Sequence, residues 1–172
     1  EAQIARIGRY LNMAERVFVC GKGSSGLTAG EMEFRFMRIG VDIDSIQDSE
    51  LMRMQAVFQD KQSMVFGISI SGEKEEVLYL LNEAHKRGAK TVLLTAKNKG
   101  VFDEFCDEVV LLPSLRHLNH GNLISPQFPA LVMLDIIYAY YVEQDKFAKE
   151  ILHDNTLRAL EAGRGKHGGR LE

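Results

Sequence analysis

The chain has 172 residues, 45% of them hydrophobic and 26% charged, with a formal net charge of −3. That length fits one domain able to bury roughly 70% of its unfolded surface, and the near-average composition excludes collagen-like and disordered classes. The mildly acidic balance also excludes a chain that grips nucleic acid by charge alone, because phosphate neutralisation needs clustered Lys and Arg.

The chain opens on Glu1 rather than Met, as expected of a fragment of a longer protein. Ile4, Ile7, Leu11 and Ala14 recur at helical spacing and predict an amphipathic first helix, not a secretion signal. Val17 to Cys20 is a short apolar run that reads as a buried strand, followed by the loop Gly21-Lys22-Gly23-Ser24-Ser25-Gly26. Leu27, Gly30, Phe34 and Met37 then mark a helix closed by Gly40. Val41 to Ile46 is a second, weaker strand, and Asp48 or Ser49 caps a helix through about Phe58. Met64 to Ile68 is the third strand, with Ser69-Ile70-Ser71-Gly72 as its exit. Val77, Leu80, Leu81 and Ala84 mark a helix closed by Gly88, and Thr91 to Leu94 is strand four, leaving through Thr95. A helical turn covers Val101 to Phe105, and Glu108 to Leu112 is strand five, stopped by Pro113. A polar loop runs to Ser125, two helices follow, and Gly163 to Gly169 is expected to fray.

Strands alternating with helices predict a parallel sheet with helices on both faces, a three-layer αβα sandwich. Near-continuous apolar strands agree, since both faces of such a sheet are buried. Five strands suit the order 2-1-3-4-5, in which the winding reverses between strands 1 and 3 and ligands bind at the C-terminal strand ends. The loops placed there are Gly21 to Gly26 and Ser69 to Gly72.

Glycines let backbone approach a ligand, serines supply hydroxyls, and the N–H groups of a helix start favour an anion. Either loop alone has a plain structural reading, as a tight turn or as an N-cap through Ser71. Two such loops at one switch point form a cup for a phosphate or carboxylate on a hydroxyl-rich molecule. The competing reading is a dinucleotide site, because Gly21-x-Gly23-x-x-Gly26 has the right spacing and Asp42, Asp44 and Asp48 lie at about the right distance. That site has no use for Ser69 and Ser71. A Walker-type phosphate loop is excluded by the lack of Gly-Lys-Ser or Gly-Lys-Thr in frame.

Val-Phe-Val-Cys-Gly-Lys-Gly-Ser-Ser, Phe36-Met37-Arg38-Ile39-Gly40, Ser69-Ile70-Ser71-Gly72-Glu73 and Ala89-Lys90-Thr91-Val92-Leu93-Leu94-Thr95 carry a resemblance. The sequence resembles a SIS (sugar isomerase) domain, most closely the C-terminal sensing domain of RpiR-type bacterial transcription regulators, over roughly residues 1–162. The resemblance implies a phosphosugar-binding αβα sandwich, usually dimeric; the glycine- and charge-rich composition of 163–172 separately predicts a disordered tail. It places phosphate on Ser69, Ser71 and Gly72, and the sugar end on Gly23, Ser24 and Ser25. Thr95 at the strand-four exit and Ser125 at the start of the long apolar helix complete the candidate set. The family loop continues with a Thr where this chain has Lys74, whose ammonium could stand in as a charge partner.

Catalysis by an aldose–ketose isomerase needs a general base against the carbon-bound proton. The candidates are Glu31, Glu73, Glu76, His117 and His120. Glu73, Glu75 and Glu76 read as a solvated first helical turn, and His85 and His153 as surface groups. His117 and His120 have no carboxylate or Cys companion for a metal. Cys20 and Cys106 are too few for a disulfide framework or a four-ligand zinc site, and read as reduced thiols. The longest apolar run, Ala130 to Val142, contains Asp135 and is too short to span a bilayer. The helix it forms is apolar nearly all round and is expected to be buried, partly against a second subunit. The reading is a cytoplasmic, non-catalytic sensor of a sugar phosphate, needing no cofactor. It is expected to be a dimer or tetramer that meets DNA only through a helix-turn-helix unit elsewhere. The alternatives are a sugar-phosphate isomerase and a nucleotide-binding domain.

Overall fold

A computed structural model describes residues 1–98, 100–113, 125 and 127–164. Its elements run α1 (Ala2–Met13), β1 (Arg16–Gly21), α2 (Ser24–Met37), β2 (Ile43–Ile46), α3 (Ser49–Gln55), β3 (Ser63–Ile68), α4 (Glu75–Lys86), β4 (Lys90–Thr95), β5 (Glu108–Leu111), α5 (Phe128–Glu143) and α6 (Lys146–Arg164). Short 3₁₀ turns cover Ala56–Phe58 and Gly100–Glu104. All four strand pairings are parallel and the order is β2-β1-β3-β4-β5, as the sequence predicts.

The three layers follow from alternation along the strands, whose successive side chains point to opposite faces. Val17 and Val19 of β1 join Ile7 and Leu11 of α1, Met32 and Phe36 of α2, and Leu134 and Ile137 of α5 in one core. Phe18 and Cys20 join Met52 of α3 and Val77, Leu80 and Leu81 of α4 in the other. Burial pushes the Cys20 thiol up to about 12, so this sulfur is protonated and inert although it lies directly before the first loop.

Two boundaries differ from the sequence reading in ways that matter. The first helix after β1 begins at Ser24, not Leu27, so half of the glycine-serine loop is helical first turn. The helix capped by Asp48, whose carboxylate accepts from Glu50 and Leu51 N–H at 2.9 Å each, ends at Gln55, and Ala56–Phe58 tightens into a 3₁₀ turn. Within the single chain only part of the expected burial of α5 is met. Ala130, Leu134, Ile137 and Tyr141 are buried, but Phe128, Val132, Ile136 and Tyr140 on its other faces are exposed, because α1, α2 and the sheet cover one side only. Helix α6 reaches Arg164, and the rest of the expected tail lies outside the described residues.

Candidate functional site

The strand order puts the switch point between β1 and β3, whose C-terminal ends pair Gly21 with Ile68. Both hydroxyl-bearing loops therefore leave the sheet side by side. In the first, Gly23 turns the chain with φ 58 and ψ −126, a region that costs an L side chain of order 1–3 kcal/mol. A Cβ there would touch nothing within 4 Å, so the requirement is conformational rather than steric. This bend starts α2 immediately and sets Ser24 and Ser25 in its first turn. Neither serine hydroxyl has a hydrogen-bond partner among the described residues. The outer glycines of the dinucleotide-like spacing have packing reasons. A Cβ on Gly21 would lie 2.5 Å from the Ser25 carbonyl oxygen, and one on Gly26 would lie 2.7 Å from Gln47 Oε1.

The second loop is built more tightly. Gly72 N–H donates to the Ser69 carbonyl at 2.9 Å, closing a turn, and Gly72 has φ 63. A Cβ on Gly72 would meet the Phe102 ring at 3.0 Å and Thr95 Oγ1 at 3.2 Å. Ser69 is buried, and its hydroxyl accepts from Lys74 N–H at 3.4 Å. Ser71 is half-buried, and its hydroxyl has no partner among the described residues. Lys74 is the exposed residue before α4, and no side chain caps that helix. With Lys74 N–H on Ser69 and Glu76 N–H on its own carboxylate, the Glu73 and Glu75 N–H groups have no partner among the described residues and are left to water or an anion.

Thr95 is fully buried: its hydroxyl donates to the Ile70 carbonyl at 3.5 Å and accepts from Lys97 N–H at 3.2 Å. It braces the second loop from beneath. Ser125 is exposed and accepts from Gln127 N–H at 3.3 Å, a turn just ahead of α5. The structure therefore brings Gly23, Ser24, Ser25, Ser69, Ser71, Gly72 and Thr95 to adjoining strand ends. His117 and His120 lie outside the described residues.

A groove of about 350 Å³ runs between α2 and α5, lined by Leu27, Thr28, Glu31, Arg35, Gln127, Leu131 and Asp135. Arg35 is paired with Asp135 and stacked 4.5 Å from the Tyr138 ring. With Glu31 unpartnered among the described residues, these lining residues offer an anion no spare positive charge, unlike the α4 start. Among the described residues, no cluster of His, Cys, Asp and Glu could hold a metal ion, and no helix is long and apolar enough to cross a membrane.

Sequence reasoning missed one polar cluster here. Lys22 Nζ donates to Ser49 Oγ at 2.7 Å, and the Ser49 hydroxyl donates to Glu76 Oε1 at 3.2 Å. The Glu76 carboxyl is held below its usual range, mainly by a backbone N–H at Glu76 itself, with Ser49 and the charge of Lys22 adding to this against burial.

A doubly wound parallel sheet with paired, glycine-hinged hydroxyl loops at its switch point defines an α/β domain of the class that takes ligands at its C-terminal strand ends. The chain belongs to the SIS domain family, whose model matches residues 10–136. An uncharacterized HTH-type transcriptional regulator of Haemophilus influenzae is 31% identical over 92% of this chain and 55% of its own. The 3-hexulose-6-phosphate isomerase of Mycobacterium gastri is 26% identical over 79% of this chain and 66% of its own. Among solved structures, the Vibrio vulnificus NanR protein complexed with ManNAc-6P superposes with a TM-score of 0.83 at 24% identity, covering 94% of this chain and 61% of that one. The sugar isomerase domain of the RpiR transcription factor from Sphaerobacter thermophilus gives 0.80 at 15% identity, covering 91% and 86%. The chain spans about half the length of the curated regulators it matches.

Proposed function

We propose that this chain is the phosphosugar-responsive domain of an RpiR-type transcription regulator, acting by binding and without catalysis. The observation that carries the reading is the pairing of unpartnered Ser24, Ser25 and Ser71 hydroxyls with an uncapped α4 start at one switch point. A phosphate seats on Ser71 and the N–H groups of Glu73 and Glu75, and the sugar hydroxyls meet Gly23, Ser24 and Ser25. Ser69 and Thr95 hold that seat in shape, and Lys74 lies at its rim. Ser125 lies before α5, and its hydroxyl donates to no group among the described residues. The names of the relatives support this, in that one solved neighbour is complexed with ManNAc-6P and the curated regulators are HTH-type.

The regulator reading has three further parts. Residues 1–162 form the sensing domain. Exposed Phe34 and Met37 of α2, Val132 and Ile136 of α5 and Ile151 of α6 form an apolar face that a second copy covers, giving a cytoplasmic homodimer. DNA is met through a helix-turn-helix unit outside this chain, and ligand shifts the protein between two arrangements by binding one of them better.

The isomerase relative favours a second reading, sugar-phosphate isomerisation. It needs a base, and the described residues supply poor ones. Glu76 is held below the usual carboxylate range, and His85 is engaged with Asp107, 3.6 Å away, at the opposite edge of the sheet. A thermal-shift panel of sugar phosphates, free sugars, inorganic phosphate and NAD(P) tests the proposal. At about 100-fold over Kd a ligand adds ~2.7 kcal/mol, or roughly 5–10 °C for a domain of this size. A shift with NAD(P) and none with any sugar phosphate rejects the phosphosugar reading. Turnover of a stabilising sugar phosphate, followed by NMR, replaces the sensor with the isomerase.

A further inference from the structure

Lys22, Ser49 and Glu76 come from three connections that leave three neighbouring strands. Lys22 follows β1, Ser49 opens α3 after β2, and Glu76 lies in the first turn of α4 after β3. Their hydrogen bonds, 2.7 Å and 3.2 Å, cross the C-terminal edge of the sheet at the switch point. All three residues are half-buried. The cluster adjoins both candidate loops in the chain: Lys22 precedes Gly23, and Glu76 follows Ser71 within the same loop-to-helix passage.

We propose that Lys22, Ser49 and Glu76 form the hydroxyl-reading end of the ligand site and restrict it to sugars carrying a single anionic group. This rests on the phosphosugar reading above. An ammonium only donates, a carboxylate only accepts, and a hydroxyl does both. A pair of neighbouring sugar hydroxyls needs that mixture, whereas a phosphate needs donors alone. The Lys22 ammonium has three hydrogens and uses one on Ser49, so it has donors to give. The charges of Lys22 and Glu76 cancel. A ligand whose far end is neutral loses nothing there, and a second phosphate or carboxylate meets the Glu76 carboxylate while the adjoining Arg53 is already paired with Glu75 at 3.3 Å. Single-anion ligands are thus selected by a repulsive group next to an attractive one.

The test is calorimetric titration of the wild-type chain, Lys22→Met, Glu76→Gln and Ser49→Ala. The probes are glucose and fructose 6-phosphates, their 1,6-bisphosphates, and inorganic phosphate. The wild type should prefer the better 6-phosphate over its bisphosphate by about tenfold or more. Glu76→Gln should shrink that preference severalfold by strengthening the bisphosphate. Lys22→Met should weaken the 6-phosphate about tenfold while leaving inorganic phosphate within about twofold, with Ser49→Ala between. A purely structural cluster would instead lower every affinity together, and each variant's own ratio of ligands controls for partial unfolding. Lys22→Arg, which keeps the charge, should retain most of the 6-phosphate affinity. An unchanged 6-phosphate to bisphosphate ratio in Glu76→Gln, or parallel loss for all probes in Lys22→Met, overturns the proposal. If the wild type binds inorganic phosphate and neither sugar phosphate, the phosphosugar reading itself falls and takes this one with it.

Discussion

At the N-terminal edge of the sheet the Asp107 carboxylate accepts from Thr91 N–H at 2.9 Å, from the Thr91 hydroxyl at 3.1 Å and from Lys90 Nζ at 2.7 Å. Nearby, buried Glu108 is held by both Arg6 and Gln3 of α1. At the C-terminal edge, the hydroxyls of Ser24, Ser25 and Ser71 have no partner among the described residues. Both edges carry polar side chains, but their bonding differs. Polar groups at one end are spent on one another and tie α1, β4 and β5 together. At the other end Lys22, Ser49 and Glu76 are bonded to one another, but the three serine hydroxyls beside them are withheld, and backbone bends at Gly23 and Gly72 hold their loops in place. A fold that satisfies its polar groups at one edge and leaves three hydroxyls open at the other separates stability from binding.

Substitutions should separate the two edges. Asp107→Ala strands a buried Thr91 N–H and should cost about 2–3 kcal/mol, lowering Tm by roughly 5–10 °C. Ligand affinity of the remaining folded protein should be unchanged by calorimetry. Burial raises the Asp107 carboxyl, but hydrogen bonds from Lys90 and Thr91 outweigh it and hold the group below its ordinary value. A depressed carboxylate contributes stability that is present above its unfolded pKa and lost as pH falls through its folded one. Stability should therefore drop below about pH 4, and Asp107→Asn should flatten that limb in acid melts.

The converse is expected of Ser71→Ala. Sugar-phosphate affinity should fall by about 1.5–3 kcal/mol, with stability within about 0.5 kcal/mol. Unchanged affinity would reduce Ser71 to a turn residue. Gly72→Ala sits between the edges in character. Its positive φ and the contacts with Phe102 and Thr95 should cost about 1–2 kcal/mol in urea melts and weaken binding too. Gly23→Ala, with open space around its Cβ, should show the conformational cost alone, of order 1–3 kcal/mol. Smallest of all, Lys86→Ala removes an exposed pair with Glu83, 2.7 Å long, and should change stability by less than about 0.5 kcal/mol.

The sheet was legible because its signals are local. Met64 to Ile68 and Thr91 to Leu94 are continuous apolar runs, and each is buried on both faces. The two loops were legible for the same reason, since glycine and serine cluster within six and four residues of sequence. Other features depend on groups far apart in the chain. Ser49 lies 27 residues from both Lys22 and Glu76, and neither helical nor strand periodicity predicts their meeting. Thr95 looks like a site hydroxyl because it ends a strand, yet its neighbours consume it. The bare face of α5 escapes composition altogether, because an apolar helix reads as buried whatever covers it.

Amide chemical-shift mapping of the 19.4 kDa chain during titration with a stabilising sugar phosphate tests the central claim most directly. The account predicts the largest shifts at residues 21–26 and 69–76, with the N-terminal edge around Thr91 and Asp107 nearly silent. Shifts centred on the α2–α5 groove at Glu31, Arg35 and Asp135, with the two loops unmoved, would contradict it.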